Sequence, residues 1–226
     1  METQLRVIGG ALCLFAVYLT WRMGTASPLV WTAWIIGGTA IVVFFLARYL
    51  LPVAEVIDWV NEQIGKVCDW LILLACVVSA GNAMVRYAYD TSSNAWLEIQ
   101  WYMFAVIVMF GAAYTLKKNE HVRVDIIYVI LKERGQLWID IMGTLLFLLP
   151  ACVLLTWLSW PFFMQSFNVL EHSSNAGGLL RWPIKLVLPV GFALVALQGI
   201  SELIKRVATV EGLKVAVETK YERPLQ

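Results

Sequence analysis

Apolar residues run along this chain in long blocks, and the charged residues gather in the gaps between them. Six blocks are long enough to read as membrane-crossing helices: 5–21, 29–51, 67–87, 96–116, 137–160 and 182–204. A bilayer core about 30 Å thick takes roughly 20 apolar residues of helix to cross. The pattern therefore predicts an all-α integral membrane helical protein with about six transmembrane helices. It divides into an N-terminal transmembrane hairpin (1–51), an amphipathic connector helix (52–66), a four-helix core (67–206) and a polar tail (207–226).

Two shorter stretches predict helices lying in the membrane plane. Over 52–65, Val53, Val56, Ile57, Val60 and Ile64 share one helical face, and Glu55, Asp58 and Glu62 share the opposite one. Pro52 suits the first turn. Lipid headgroups on the cytoplasmic side are negative, so the acidic face is expected to turn to water or to cationic groups on another protein. The second stretch is 126–131, apolar but too short to span, with Asp125 near its N-terminus where a carboxylate offsets the helix dipole.

Composition agrees: hydrophobic residues make up 60% of the 226 and charged residues 15%, which excludes an ordinary soluble domain. The net charge of +1 says little, but its placement says more. With alternating sides, Arg22, Arg86, Arg181 and Lys185 fall on one side and the other Lys and Arg residues on the other. Positive residues stay cytoplasmic, so both termini and the 117–136 loop are expected inside. The first block has a second reading as a secretory signal, with Arg6 ahead of it and small residues at Gly24–Ala26. Trp21 and Arg22 crowd that site, which favours a retained hairpin. No basic stripe points to nucleic acid.

Little catalytic chemistry is present. Cys13, Cys68, Cys76 and Cys152 lie in or beside apolar blocks and form no C-x-x-C pair. His121 and His172 fall on opposite sides, too far apart to share a haem or metal. We expect no catalytic, cofactor-binding or metal residues. The ionisable residues Asp69, Arg86, Glu98, Asp140, Lys185 and Glu202 lie within a turn or two of a block's end, and no repeated halves are visible, so the chain lacks the marks of a transport pathway of its own. Trp21, Trp31, Trp96, Trp101, Trp160 and Trp182 cluster toward the outer boundary, as an aromatic belt or as docking surface.

Three stretches carry a family likeness. They are Glu98-Ile-Gln-Trp-Tyr-Met-Phe, running on to Phe110-Gly111-Ala112-Ala113; His121-Val122-Arg123-Val124-Asp125; and Arg181-Trp182-Pro183-Ile184-Lys185, followed by Leu188-Pro189-Val190-Gly191-Phe192 and Leu197-Gln198. Together they resemble the small, Q-type (DctQ-like) membrane subunit of tripartite ATP-independent periplasmic (TRAP) transporters, over about 69–206. Many members have four spans, so the N-terminal hairpin is an addition here. The resemblance implies a multi-pass protein of the bacterial inner membrane that braces a large M-type subunit. That subunit is expected to hold the moving transport domain and sodium sites, while a periplasmic binding protein delivers an organic acid. Membrane lipids complete the list of partners. A competing reading is the membrane anchor of a respiratory complex, which the lack of histidine within the spans disfavours.

Candidate interface and structural residues follow. Glu98 and Lys185 both lie near the outer boundary; they either pair, tying the fourth and sixth blocks together, or are solvated separately. Gly111 permits close helix approach. His121, Arg123 and Asp125 mark the inner loop, where Arg123 and Asp125 form a local ion pair, contact the partner, or are simply solvated. Trp182 belongs to the aromatic boundary, and Pro183 and Pro189 fix the entry and bend of the last helix. The outer loops 89–95 and 162–181 are candidates for docking the binding protein.

Overall fold

A computed structural model describes residues 2–25, 27–90, 93–121 and 130–213. The expected all-α architecture is present. α1 covers Glu2–Met23, α2 Pro28–Tyr89, α3 Asn94–Lys118, α4 Glu133–Gly143, α5 Leu149–Asn168 and α6 Trp182–Val210. A π-helical turn, Thr144–Leu148, joins α4 to α5. Among the described residues the nearest thing to a strand is an isolated bridge between His172 and Leu180.

Among the described residues five helices are long and apolar enough to cross a membrane, close to the expected six. The difference lies in α2. Its 62 residues take in the second block, the connector and the third block as one helix, with Pro52 inside it. The fifth block also runs on, as 36 helical residues from Glu133 to Asn168. At about 1.5 Å per residue that is roughly 54 Å, well beyond a bilayer core. The loop after it is correspondingly shorter than expected, 169–181.

The π turn has a local cause. Pro150 has no N–H to donate, so the ladder is broken just past the turn. Leu149 donates instead to the carbonyl of Thr144, five residues back.

By their contacts the described residues fall into two units. The first is drawn from Met1–Asp58, Thr115–Pro150 and Gln198–Gln226. Here α1 packs closely on the first part of α2. A Cβ on Gly37 would stand 3.3 Å from the backbone of Cys13, so the close approach needs glycine there. Ala16, Ala40, Val43, Phe44 and Ala47 are buried along the seam, and the Trp34 indole N–H donates to the Thr20 hydroxyl at 2.9 Å. A second core of the same unit holds Ile141, Leu145, Leu203, Ile204 and Val207.

The second unit is drawn from Trp59–Tyr114 and Ala151–Leu197. A Cβ on Gly65 would lie 2.5 Å from the Tyr114 ring, and one on Gly191 would meet the backbone oxygen of Met109 at 3.0 Å. An aromatic row, Trp160, Phe163, Phe167 and Trp182, runs from α5 to the start of α6 with ring spacings of 5.6, 5.8 and 5.3 Å.

The outward surface is apolar. Along the last third of α2, Ile72, Leu73, Leu74, Val77, Met84 and Val85 are all exposed, and α3 exposes Trp96, Trp101, Phe104 and Val108. The connector stretch is not a separate in-plane helix but part of α2, and its valines face outward while Asp58 turns in. Ala54, Asn61, Gly65 and Cys68 are buried and Asp58 is half-buried, whereas Val53, Val56, Trp59 and Val60 face outward. In a surrounding of lipid, the small and polar face is the one that a helix turns inward.

Candidate functional site

Two polar clusters stand out, each within one unit. In the second unit, the first turns of α3 carry Asn94, Glu98 and Tyr102, four residues apart and so on one helix face. All three hold the 169–181 loop. That loop is a small hairpin. Arg181 donates its backbone N–H to the carbonyl of Glu171 at 2.8 Å, and Ser173 donates to Leu179 at 2.9 Å. Its turn closes at Gly177, whose φ of +70° suits glycine.

Glu98 sits under this hairpin and is only 4% exposed. Its Oε1 accepts hydrogen bonds from the Ser173 hydroxyl and from the Asn175 amide, the latter at 2.9 Å. Its Oε2 accepts from the Leu179 backbone N–H at 2.7 Å. The Asn94 amide donates to the Ala176 carbonyl and the Tyr102 hydroxyl to the Leu180 carbonyl, each at 3.0 Å. Gly178 is part of the fit: a Cβ there would stand 2.9 Å from Glu98 Oε1.

The expected Glu98–Lys185 pair is not formed. Lys185, in the first turn of α6, is bonded to Glu171 and lies over the Phe162 ring at 4.2 Å. Arg181 adds a looser contact to Glu171 at 3.9 Å. The Lys185 hydrogen bond holds the Glu171 carboxyl below the usual carboxylate range, with help from the nearby Arg181 charge. Once hairpin donors filled the oxygens of Glu98, Lys185 met the acidic group nearest its own helix.

In the first unit, α2, α3, α4 and α6 bring ionic side chains together. Asp58 accepts from the Gln198 amide at 2.9 Å, the Ser201 hydroxyl at 2.6 Å and the Lys205 ammonium at 3.0 Å. Lys205 also bonds Glu202. Arg206 reaches Asp140 at 2.5 Å and Glu202 at 3.8 Å. Lys117 donates to the backbone carbonyl of Asp58 at 3.1 Å. Three carboxylates thus face three cations, and burial of such a set is tolerable only with charges balanced and lone pairs filled. Of the connector's acidic face, Asp58 does meet a cation on α6 of its own chain, and Glu62 pairs with Lys66 on α2.

The remaining candidates scatter. Trp182 packs edge-on against Phe167. Pro183 lies exposed in the first turn of α6, and Pro189 is buried within it. Gly111 gives no close approach within the chain, since a Cβ there would meet nothing within 4 Å; Gly65, Gly191 and Gly37 fill that role instead. His121 follows α3 and is exposed. Arg123, Asp125 and the second in-plane stretch lie outside the described residues.

Sequence reasoning missed Asp58, Gln198, Ser201, Lys205 and Arg206 as one cluster. The signal was available as spacing: 198, 201, 202 and 205 share a face of α6.

Long helices with apolar outer surfaces and inward-turned polar clusters define a multi-pass helical membrane protein. Its family is specific. The family model for the DctQ component of tripartite ATP-independent periplasmic transporters matches residues 74–209, and the chain belongs to that family. A Haemophilus influenzae protein named as a TRAP transporter small permease is 24% identical over 110 residues, covering 49% of this chain and 68% of that protein. The match begins inside α2, so α1 and most of α2 lie outside it.

Proposed function

We propose that this chain is the small scaffold subunit of a TRAP-type, sodium-coupled importer of organic acids. It works with a large M-type membrane subunit and a periplasmic substrate-binding protein. It lies in the bacterial inner membrane as a multi-pass protein. The role is mechanical: the chain holds the static part of the large subunit in the bilayer while the transport domain moves.

The observation that carries this reading is the division of the surface. Asp58, Asp140, Glu202, Lys205 and Arg206 of the first unit are spent on bonds within the chain, so they are not laid out to bind a moving polar solute. The exposed side chains of Ile72, Leu73 and Leu74 on α2 and of Trp101, Phe104 and Val108 on α3 are apolar, which suits a permanent contact with another membrane protein. The hairpin over Glu98 is braced at five points by α3 side chains, as a docking edge for a binding protein needs to be.

Reconstitution tests the proposal. Proteoliposomes holding the large subunit, this chain and the binding protein should take up an organic acid under a sodium gradient, and omitting this chain should abolish uptake. Uptake by this chain alone, or full uptake without it, would overturn the scaffold reading.

A further inference from the structure

Beside the end of α2 and the start of α3 lies a groove of 540 Å³ lined by Val77, Val78, Gly81, Asn82, Val85, Ser93 and Trp96. It lies in the second unit and is separate from both polar clusters. Its long part is apolar and falls on one face of a membrane-crossing helix. Gly81 forms its floor: a Cβ there would meet nothing within 4 Å, so the missing side chain leaves the space open. The lining also carries two polar side chains, Asn82 and Ser93, and the indole of Trp96. Arg86 follows Asn82 by one helical turn on the same side of α2; it is exposed and has no ion-pair partner among the described residues. The first turn of α3, which carries Trp96, has spare backbone N–H groups.

We propose that this groove binds one phospholipid. An acyl chain lies along Val77, Val78, Gly81 and Val85, and the phosphate is held by Arg86. Two features choose a lipid over a partner's helix. An apolar trough inside a span stays filled by hydrocarbon, since water gains no hydrogen bonds there. A free cation one turn past the trough calls for an anion at headgroup depth, which a phospholipid supplies on the same molecule as its chain. Trp96 fits that depth, where indoles settle at the boundary of core and headgroup.

Native mass spectrometry of the full chain, released from nanodiscs of phosphatidylethanolamine and phosphatidylglycerol, tests this. We expect one phospholipid to stay on the chain after the others are stripped. Gly81→Phe grows a ring into the trough and should lower that occupancy by about tenfold. Arg86→Gln should keep the site but lower its preference for phosphatidylglycerol by about fivefold. Val78→Trp fills the same trough from another position and serves if Gly81→Phe fails to fold. Loss of all lipids together from the wild-type chain, or wild-type occupancy in folded trough-filling variants, would overturn the proposal. So would displacement of the lipid by the large subunit in the assembled complex.

Discussion

Glu98 and Asp58 are both carboxylates brought in from the surface, yet they are satisfied in opposite ways. Glu98 receives a hydroxyl, an amide and a backbone N–H, all from one hairpin of 13 residues or fewer. Asp58 receives an ammonium, an amide and a hydroxyl from a helix about 140 positions away in the sequence. Neutral donors shape a loop around a charge without needing a counter-ion. Cations instead tie distant elements together, and each one removed strands a partner. The Glu98 cluster therefore orders a surface locally, whereas the Asp58–Arg206 cluster holds helices in register.

The hardest test of that contrast is at Arg206. Its side chain and that of Asp140 are each about nine-tenths buried. Arg206→Met removes the buried ion pair with Asp140 and should cost about 3–5 kcal/mol, read as a lower unfolding midpoint in detergent. Pairing it with Asp140→Leu should recover most of that loss, because two apolar side chains replace a buried ion pair at little net cost. A double variant as unstable as the single one would show that the pair does more than balance charge.

At the other cluster the effect should be smaller and confined to the hairpin. Glu98→Gln keeps one oxygen but loses the negative charge and the acceptor for Leu179. Hydrogen exchange at the Leu179 amide should speed by about tenfold, with no comparable change along the last turns of α6. The neighbouring Glu171 adds a pH dependence. Its folded value is lowered chiefly by the hydrogen bond from Lys185. A lowered carboxyl contributes stability that is fully present above its unfolded value and is lost as the pH falls through the folded one. Protection of the Arg181 amide, bonded to the Glu171 carbonyl, should thus hold steady from neutral pH down to the usual carboxylate range and fall below it. Lys185→Met should flatten that profile.

How far the sequence revealed these clusters differs between them. The spans were visible because a run of about 20 apolar residues has few other uses. Glu98 near the outer boundary and the outer loop 162–181 were visible too. Their meeting was not, since a contact across some 75 positions leaves no local trace. The connector failed for a different reason. Val53, Val56 and Val60 were read as the membrane-facing side and do face outward, but the acidic side was expected to meet water or another protein, and Asp58 instead turns in beside Ala54 and Asn61. The continuity of α2 through Pro52 was hidden as well, because proline usually begins or interrupts a helix and here is carried within one. The close approaches at Gly65 and Gly191 were hidden as well, because a glycine's neighbour across the fold leaves no local trace.

Burial, rather than the mere presence of opposite charges, is what sets the Arg206 cluster apart, and Lys66 provides the control. Lys66 and Glu62 form an i, i+4 ion pair at 3.2 Å on α2, but their side chains are 57% and 39% exposed. Solvent screens such a pair, and holding two long side chains together costs entropy. Lys66→Ala should therefore change stability by no more than about 0.5 kcal/mol, within the range of exposed helical pairs. The unfolding midpoint should stay near the wild-type value in the same detergent that exposes the Arg206 defect, and added salt should not shift it further. An equal loss from Lys66→Ala and Arg206→Met would mean that the first cluster owes its effect to something other than the buried ion pair.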